Sequence, residues 1–182
     1  MRFKPPAREE MTEAQRRVVD AAIAGKRGTA PAPLLAWLAS SELADRAQRL
    51  GEFVRYDTTL PPALSELAIL VTARFWTSHY EWHAHKREAL KAGIDPAVIE
   101  AIAERKPPEL ADRKAQLVYE VSKALHETHA VPPSLFAAAE EALGRRGLVE
   151  LIGILGYYTL ISMTLNAFEI GLPDGAAPEL KS

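Results

Sequence analysis

Pairs of prolines cut this chain into segments whose apolar residues return every three or four positions, a pattern that commits it to helices. Pro31 and Pro33, Pro61-Pro62, Pro107-Pro108 and Pro132-Pro133 all fall between such segments. Proline has no N–H to give to a helix interior, yet it fits the first helical turn, where that N–H has no partner anyway. Each pair therefore closes one helix and opens the next. Strand-like alternation is hard to find in the stretches between them, and the resulting fold class is all-α.

Local signals sharpen the boundaries. Thr12 followed by Gln15 reads as a capping box for a first amphipathic helix that Gly25, Gly28 and Pro31 terminate. A short apolar helix and a longer amphipathic one, from about 42 to 56, come next. From 62 to about 92 the apolar pattern is continuous, which predicts one long central helix ended by Gly93 in a left-handed cap. Asp95 caps and Pro96 opens a short helix to about 105. Helices succeed it over about 109–127, 132–143 and 148–171. The last is apolar nearly all round, with Glu150, Asn166 and Glu169 as interruptions and no basic flank, as befits a buried core helix that also serves as an oligomer interface. The tail beyond it, rich in Pro and Gly, is expected to be poorly ordered.

With 182 residues, 48% of them hydrophobic, the chain can build one domain with a real core. Its 22 basic and 24 acidic side chains leave no global attraction for nucleic acid. The polar N-terminus lacks a signal-peptide core, and no run approaches about 18 uninterrupted apolar residues, so a cytoplasmic protein without membrane spans is expected. There is no cysteine, which excludes disulfides and thiol redox chemistry by this chain alone.

The central segment carries the candidate site. On one continuous helix Arg74, Ser78, Glu81 and His85, at steps of four, three and four, form a narrow polar stripe within a mostly apolar circumference. A carboxylate one turn before an imidazole can orient the ring and tune its basicity for general acid or base work. His79 and His83 share a spacing that can hold a metal, but no third ligand accompanies them, so no metal and no other cofactor is expected. Phe75, Trp76, Tyr80 and Trp82 read first as packing residues, and Arg74 with Glu66 fits a structural ion pair as well as a substrate role.

The order of these elements, with Glu66 to Leu70 opening the central helix and His85-Lys86-Arg87-Glu88-Ala89-Leu90-Lys91-Ala92-Gly93 closing it, resembles the carboxymuconolactone decarboxylase family with its AhpD-like all-α fold. The resemblance spans about 41–172, leaving 1–40 as an N-terminal helical arm and linker and 173–182 as a flexible tail. It implies a homo-oligomer, a trimer or a hexamer. In the peroxide-reducing branch of the family a Cys-x-x-Cys works with a relay glutamate and histidines. Glu66 and His85 match that glutamate and the distal histidine, while Ser78 and Glu81 stand where the cysteines would be and Tyr80 replaces the histidine between them. Neither serine nor glutamate can do thiol redox chemistry, so a hydroperoxide-reducing antioxidant is the disfavoured alternative.

The decarboxylase branch acts on a carboxylated lactone without a cysteine pair. The resemblance thus implies cofactor-independent acid/base chemistry on a small carboxylated or lactone-like organic acid, most simply decarboxylation. His85 would donate the proton, Glu81 would orient it, and Glu66 would act as a second acid/base group or relay. Arg74 would hold an anionic group, with Ser78 and Tyr80 bonding the lactone oxygens. An oligomeric scaffold that kept the fold and lost the chemistry is the third reading. Asn166 resembles a family asparagine that bonds a backbone group, and is read as structural.

Overall fold

The computed structural model describes residues 2–181. Among these residues eight α-helices succeed one another: α1 (Glu13–Ala24), α2 (Ala32–Trp37), α3 (Ser41–Tyr56), α4 (Pro62–Phe75), α5 (His79–Lys91), α6 (Pro96–Ala103), α7 (Arg113–Glu127) and α8 (Pro133–Ala167). Short 3-10 turns precede α1, join α2 to α3 and come after α8, and no strand occurs among the described residues. Prolines open α4, α6 and α8 as expected. The capping residues also act as read. Thr12 and Gln15 exchange side-chain and backbone bonds, Asp95 Oδ1 accepts from the Ala97 amide at 2.8 Å, and Gly93 has φ +88°.

The core centres on α4, whose residues from Leu64 to Arg74 are all buried. It packs against α5, α7 and α8, so every side of it faces protein. This explains why its sequence lacks a polar face.

The continuous helix predicted over 62–92 does not form. The chain breaks at Trp76, Thr77 and Ser78, and α5 turns back against α4. Thr77 takes a left-handed φ of +46°, while the Ser78 amide bonds Ala73 O at 2.8 Å and the Thr77 amide bonds Arg74 O at 3.1 Å. That is the hydrogen-bond pattern of a glycine-terminated helix end, built without glycine. A β-branched residue in this conformation is strained and must be held from outside. Arg74 and Arg105 both donate to Thr77 Oγ1, at 3.0 and 3.3 Å, and Asn166 Nδ2 donates to Trp76 O at 2.8 Å. Asn166 thus has the backbone-bonding role assigned to it.

Helix α8 contains the break expected between 143 and 148, since Gly144 at φ +74°, ψ +160° is non-helical within it. It stops at Ala167, four residues before the predicted end, because Glu169 turns left-handed and Ile170 bonds back to Leu165 O at 3.0 Å. Its buried Glu150 is accounted for. Oε2 accepts from the amide and hydroxyl of Thr59 at 2.6 Å, and Oε1 from Arg146 at 2.7 Å. By length and composition α8 could cross a membrane, yet 61% of its most apolar window is buried inside the domain.

The N-terminal arm packs on the same body. Helix α1 lies on α3, α2 lies on α3 and α8, and Trp37 Nε1 donates to Thr164 Oγ1 at 2.8 Å. The C-terminal segment also touches the body, with Leu180 buried and Lys181 O accepting from Arg74 Nη2 at 2.8 Å.

Candidate functional site

The turn at Thr77 has a chemical consequence. Along a straight helix, Glu66 and His85 would be about 28 Å apart at 1.5 Å per residue. Folded back, α5 brings His85 Nδ1 to 2.7 Å from Glu66 Oε2. Glu81, one turn before His85 on α5, places Oε2 at 3.5 Å from Nε2. The imidazole therefore lies between two carboxyl groups, and all three residues are buried, with 3% of His85, 8% of Glu66 and 5% of Glu81 exposed.

The two contacts differ in kind. At 2.7 Å the Glu66 bond has the length of a charge-assisted hydrogen bond; a carboxylate only accepts, so in that form of the pair Nδ1 is the donor. Nε2 is left for Glu81 and the cavity. The 3.5 Å separation there is too long for a strong hydrogen bond but close enough for electrostatic coupling. Burial pushes the Glu81 carboxyl above the ordinary carboxylate range, with Glu66 adding in the same sense and His85, Arg55 and Arg27 opposing. Burial thus favours the protonated form of the Glu81 carboxyl.

A raised carboxyl has a definite stability signature. The unfolded chain gives up the Glu81 proton first, so the folded state loses stability as pH rises from the ordinary carboxylate range through the folded value, and the contribution is complete only below that range. Glu81→Gln cannot ionise and is expected to escape the loss. Urea unfolding across mildly acidic to alkaline pH should show its stability relative to wild type rising with pH; a constant difference would contradict the assignment.

A cavity of about 200 Å³ opens onto this cluster. Glu81, His85, Tyr80 and Ala84 from α5 form one side, and Gln48 and Arg55 from α3 another. Tyr157, Tyr158 and Ile161 come from α8, and Arg27, Pro31, Pro33, Leu34 and Trp37 from the arm. Tyr158 meets the His85 ring edge-to-face at 4.9 Å, and Tyr157 and Trp37 continue the aromatic wall. Burial, reinforced by Glu81, raises the Tyr158 hydroxyl well above its ordinary range, so it is a neutral hydrogen-bonding group.

Gly51 makes this wall possible. A Cβ there would collide with Cζ and Oη of Tyr157 and come within 2.8 Å of Arg27 Nη2. Gly→Ala inside a helix ordinarily gains about 1 kcal/mol, whereas overpacking costs about 1–3 kcal/mol. Gly51→Ala is therefore expected to lower the melting temperature; a rise would show that the wall yields freely.

Of the residues expected at the site, Glu66, Glu81 and His85 come together, and Tyr80 lines the cavity. Arg74 and Ser78 do not, because the single helix on which their stripe depended is broken between them. Arg74 spends its donors on Ala103 O at 2.8 Å, Lys181 O and Thr77 Oγ1. Ser78 is fully buried, and lines a separate hollow with Trp76, His79 and Asn166. Among the described residues no group of three or more His, Asp or Glu side chains is placed to hold a metal ion. The cations that do reach the cavity, Arg27 and Arg55, were missed, since neither lies in the segment from which the site was read.

A comparison with curated proteins gave no match. The model of the carboxymuconolactone decarboxylase family matches residues 41–118, from α3 into α7, the stretch that carries Glu66, Glu81 and His85.

Proposed function

We propose that the cavity performs cofactor-independent acid/base chemistry on a small carboxylated or lactone-like organic acid, most simply its decarboxylation. The observation that carries this reading is the buried imidazole held at 2.7 Å by Glu66, with its other nitrogen turned to Glu81 and the cavity. A cavity of about 200 Å³ suits a single-ring molecule, and Arg27 and Arg55 favour an anion within an otherwise aromatic lining.

In this reading the bond from the substrate to its carboxylate carbon breaks, carbon dioxide leaves, and the electron pair passes into the conjugated lactone carbonyl. The resulting dienolate takes a proton at carbon from the Nε2 and Glu81 end of the cluster. Glu66 holds Nδ1–H and so fixes the ring and its tautomer through the transfer. Tyr80 and Tyr158 offer neutral hydrogen bonds to the lactone oxygens, and a proton from solvent restores the cluster. The peroxide-reducing alternative lacks its nucleophile, since the chain contains no cysteine.

The same reading has the protein act in the cytoplasm as a homotrimer or homohexamer. Exposed Val149, Ile152 and Met163, spaced along one side of α8, support self-association. Release of carbon dioxide from a panel of carboxylated five-ring lactones tests the chemistry. Enzyme-dependent release that disappears in His85→Gln is the expected result, and no release from any member would contradict it.

A further inference from the structure

We propose that Arg27, on the connector between α1 and α2, is the carboxylate receptor that decides which acids are presented to His85. The proposal deepens the acid/base reading and rests on it for the chemistry after binding. Arg27 and Arg55 both line the cavity. The Arg55 guanidinium lies over the Tyr56 ring at 5.3 Å, a contact that occupies its face. Arg27 differs, because its Nε and Nη2 are both buried and neither has an acceptor in hydrogen-bonding geometry.

Those two nitrogens share one edge of the guanidinium, and their N–H bonds run parallel. Two parallel donors match the two oxygens of a carboxylate, the bidentate arrangement for which arginine is better suited than lysine. Buried donors without acceptors are costly and uncommon in folded proteins, and a fork of them beside a cavity matches the paired oxygens of an oxyanion. Arg27 also acts electrostatically on Glu81 and Tyr158, and its guanidinium comes within reach of the Tyr157 hydroxyl without an aligned hydrogen bond from Nε or Nη2, which places its charge at the reacting end of the cavity. The backbone allows a defined presentation. Gly28 at φ +67° turns the chain immediately after Arg27, and Pro31 and Pro33 fix its return along the wall.

Arg27 lies outside the segment that matches the family. Choice of substrate is thereby assigned to the arm, and proton transfer to the family segment.

The test measures binding of a butenolide carboxylate and the matching butenolide carboxamide by calorimetry, to wild type, Arg27→Met, Arg27→Lys and His85→Gln. Wild type should prefer the carboxylate by about ten- to a hundredfold, the range of a charge-assisted pair in a dry site. Arg27→Met should reduce the preference to within about twofold with carboxamide binding little changed. Arg27→Lys, which keeps the charge without the fork, should recover part of it. The ligand-free melting temperature of Arg27→Met should not fall, whereas a purely structural arginine would lower it. Retention of the full preference by Arg27→Met overturns the proposal, as does a wild type that binds neither probe or does not distinguish them. If Arg27→Met does not fold, an undiminished preference in Arg27→Lys overturns it equally. Measuring conversion of the carboxylate in the same samples separates the two claims. Selective binding without conversion supports the receptor and removes the acid/base reading, and His85→Gln should lose conversion while keeping the preference.

Discussion

His85→Gln is expected to lower turnover by about 10²–10⁴-fold, the usual contribution of a positioned acid/base group, while leaving the helical fold in place. Glutamine is close in reach and can still donate toward Glu66, but it cannot carry a transferable proton at the position of Nε2. The buried Glu66 carboxylate keeps a partner, which limits the structural damage that a smaller, apolar replacement would cause. Glu66→Gln should fall by less, because the imidazole remains and loses only the partner that fixes its tautomer. Turnover measured beside circular dichroism and melting temperature decides the matter. A folded His85→Gln protein with wild-type turnover would show that the chemistry lies elsewhere.

The largest expected effect on stability comes from Trp37→Ala, at about 3–5 kcal/mol. Trp37 is buried where α2 meets α8, its ring stands edge-to-face to Tyr157 at 6.3 Å, and its Nε1 donates to Thr164 Oγ1. Truncation removes a large apolar area, leaves Thr164 without that donor, and withdraws part of the cavity wall. Trp37→Phe keeps most of the packing and loses the hydrogen bond, so it should cost nearer ~1 kcal/mol. Chemical denaturation distinguishes the two. A loss under about 1 kcal/mol for Trp37→Ala, well short of the usual cost of such a truncation, would mean that the arm is only loosely attached to the domain.

The helices were readable because their boundaries carry local chemistry. Proline pairs, Thr12, Asp95 and Gly93 each impose a conformation through their own backbone or side chain, whatever surrounds them. The turn at Thr77 has no such mark. Threonine is a poor choice for a left-handed residue, and beside the nearby Arg74 it is held there by Arg105 and Asn166, which are distant in sequence and come close only when the domain forms. Missing that turn spread the site along one helix face and grouped with it Arg74 and Ser78, which the folded chain places away from the lining of the cavity. Glu81 and His85 stay together because they are four apart within α5. Glu66 was recovered through family resemblance, since its approach to His85 depends wholly on the reversal. Arg27 sits in a connector without periodicity between Gly25 and Pro31, where no pattern marks a side chain as facing a cavity.

The acid/base chemistry proposed for the cavity depends on His85 being a cavity-facing proton carrier fixed by Glu66. Nitrogen-15 NMR of histidine-labelled protein, titrated with a butenolide carboxylate, observes that ring directly, with His85→Gln identifying the resonances. The expected result is a hydrogen resident on Nδ1 throughout, and a saturable shift of the His85 Nε2 resonance as ligand binds. A His85 ring with its hydrogen on Nε2, or one whose nitrogens ignore the bound ligand, would contradict it.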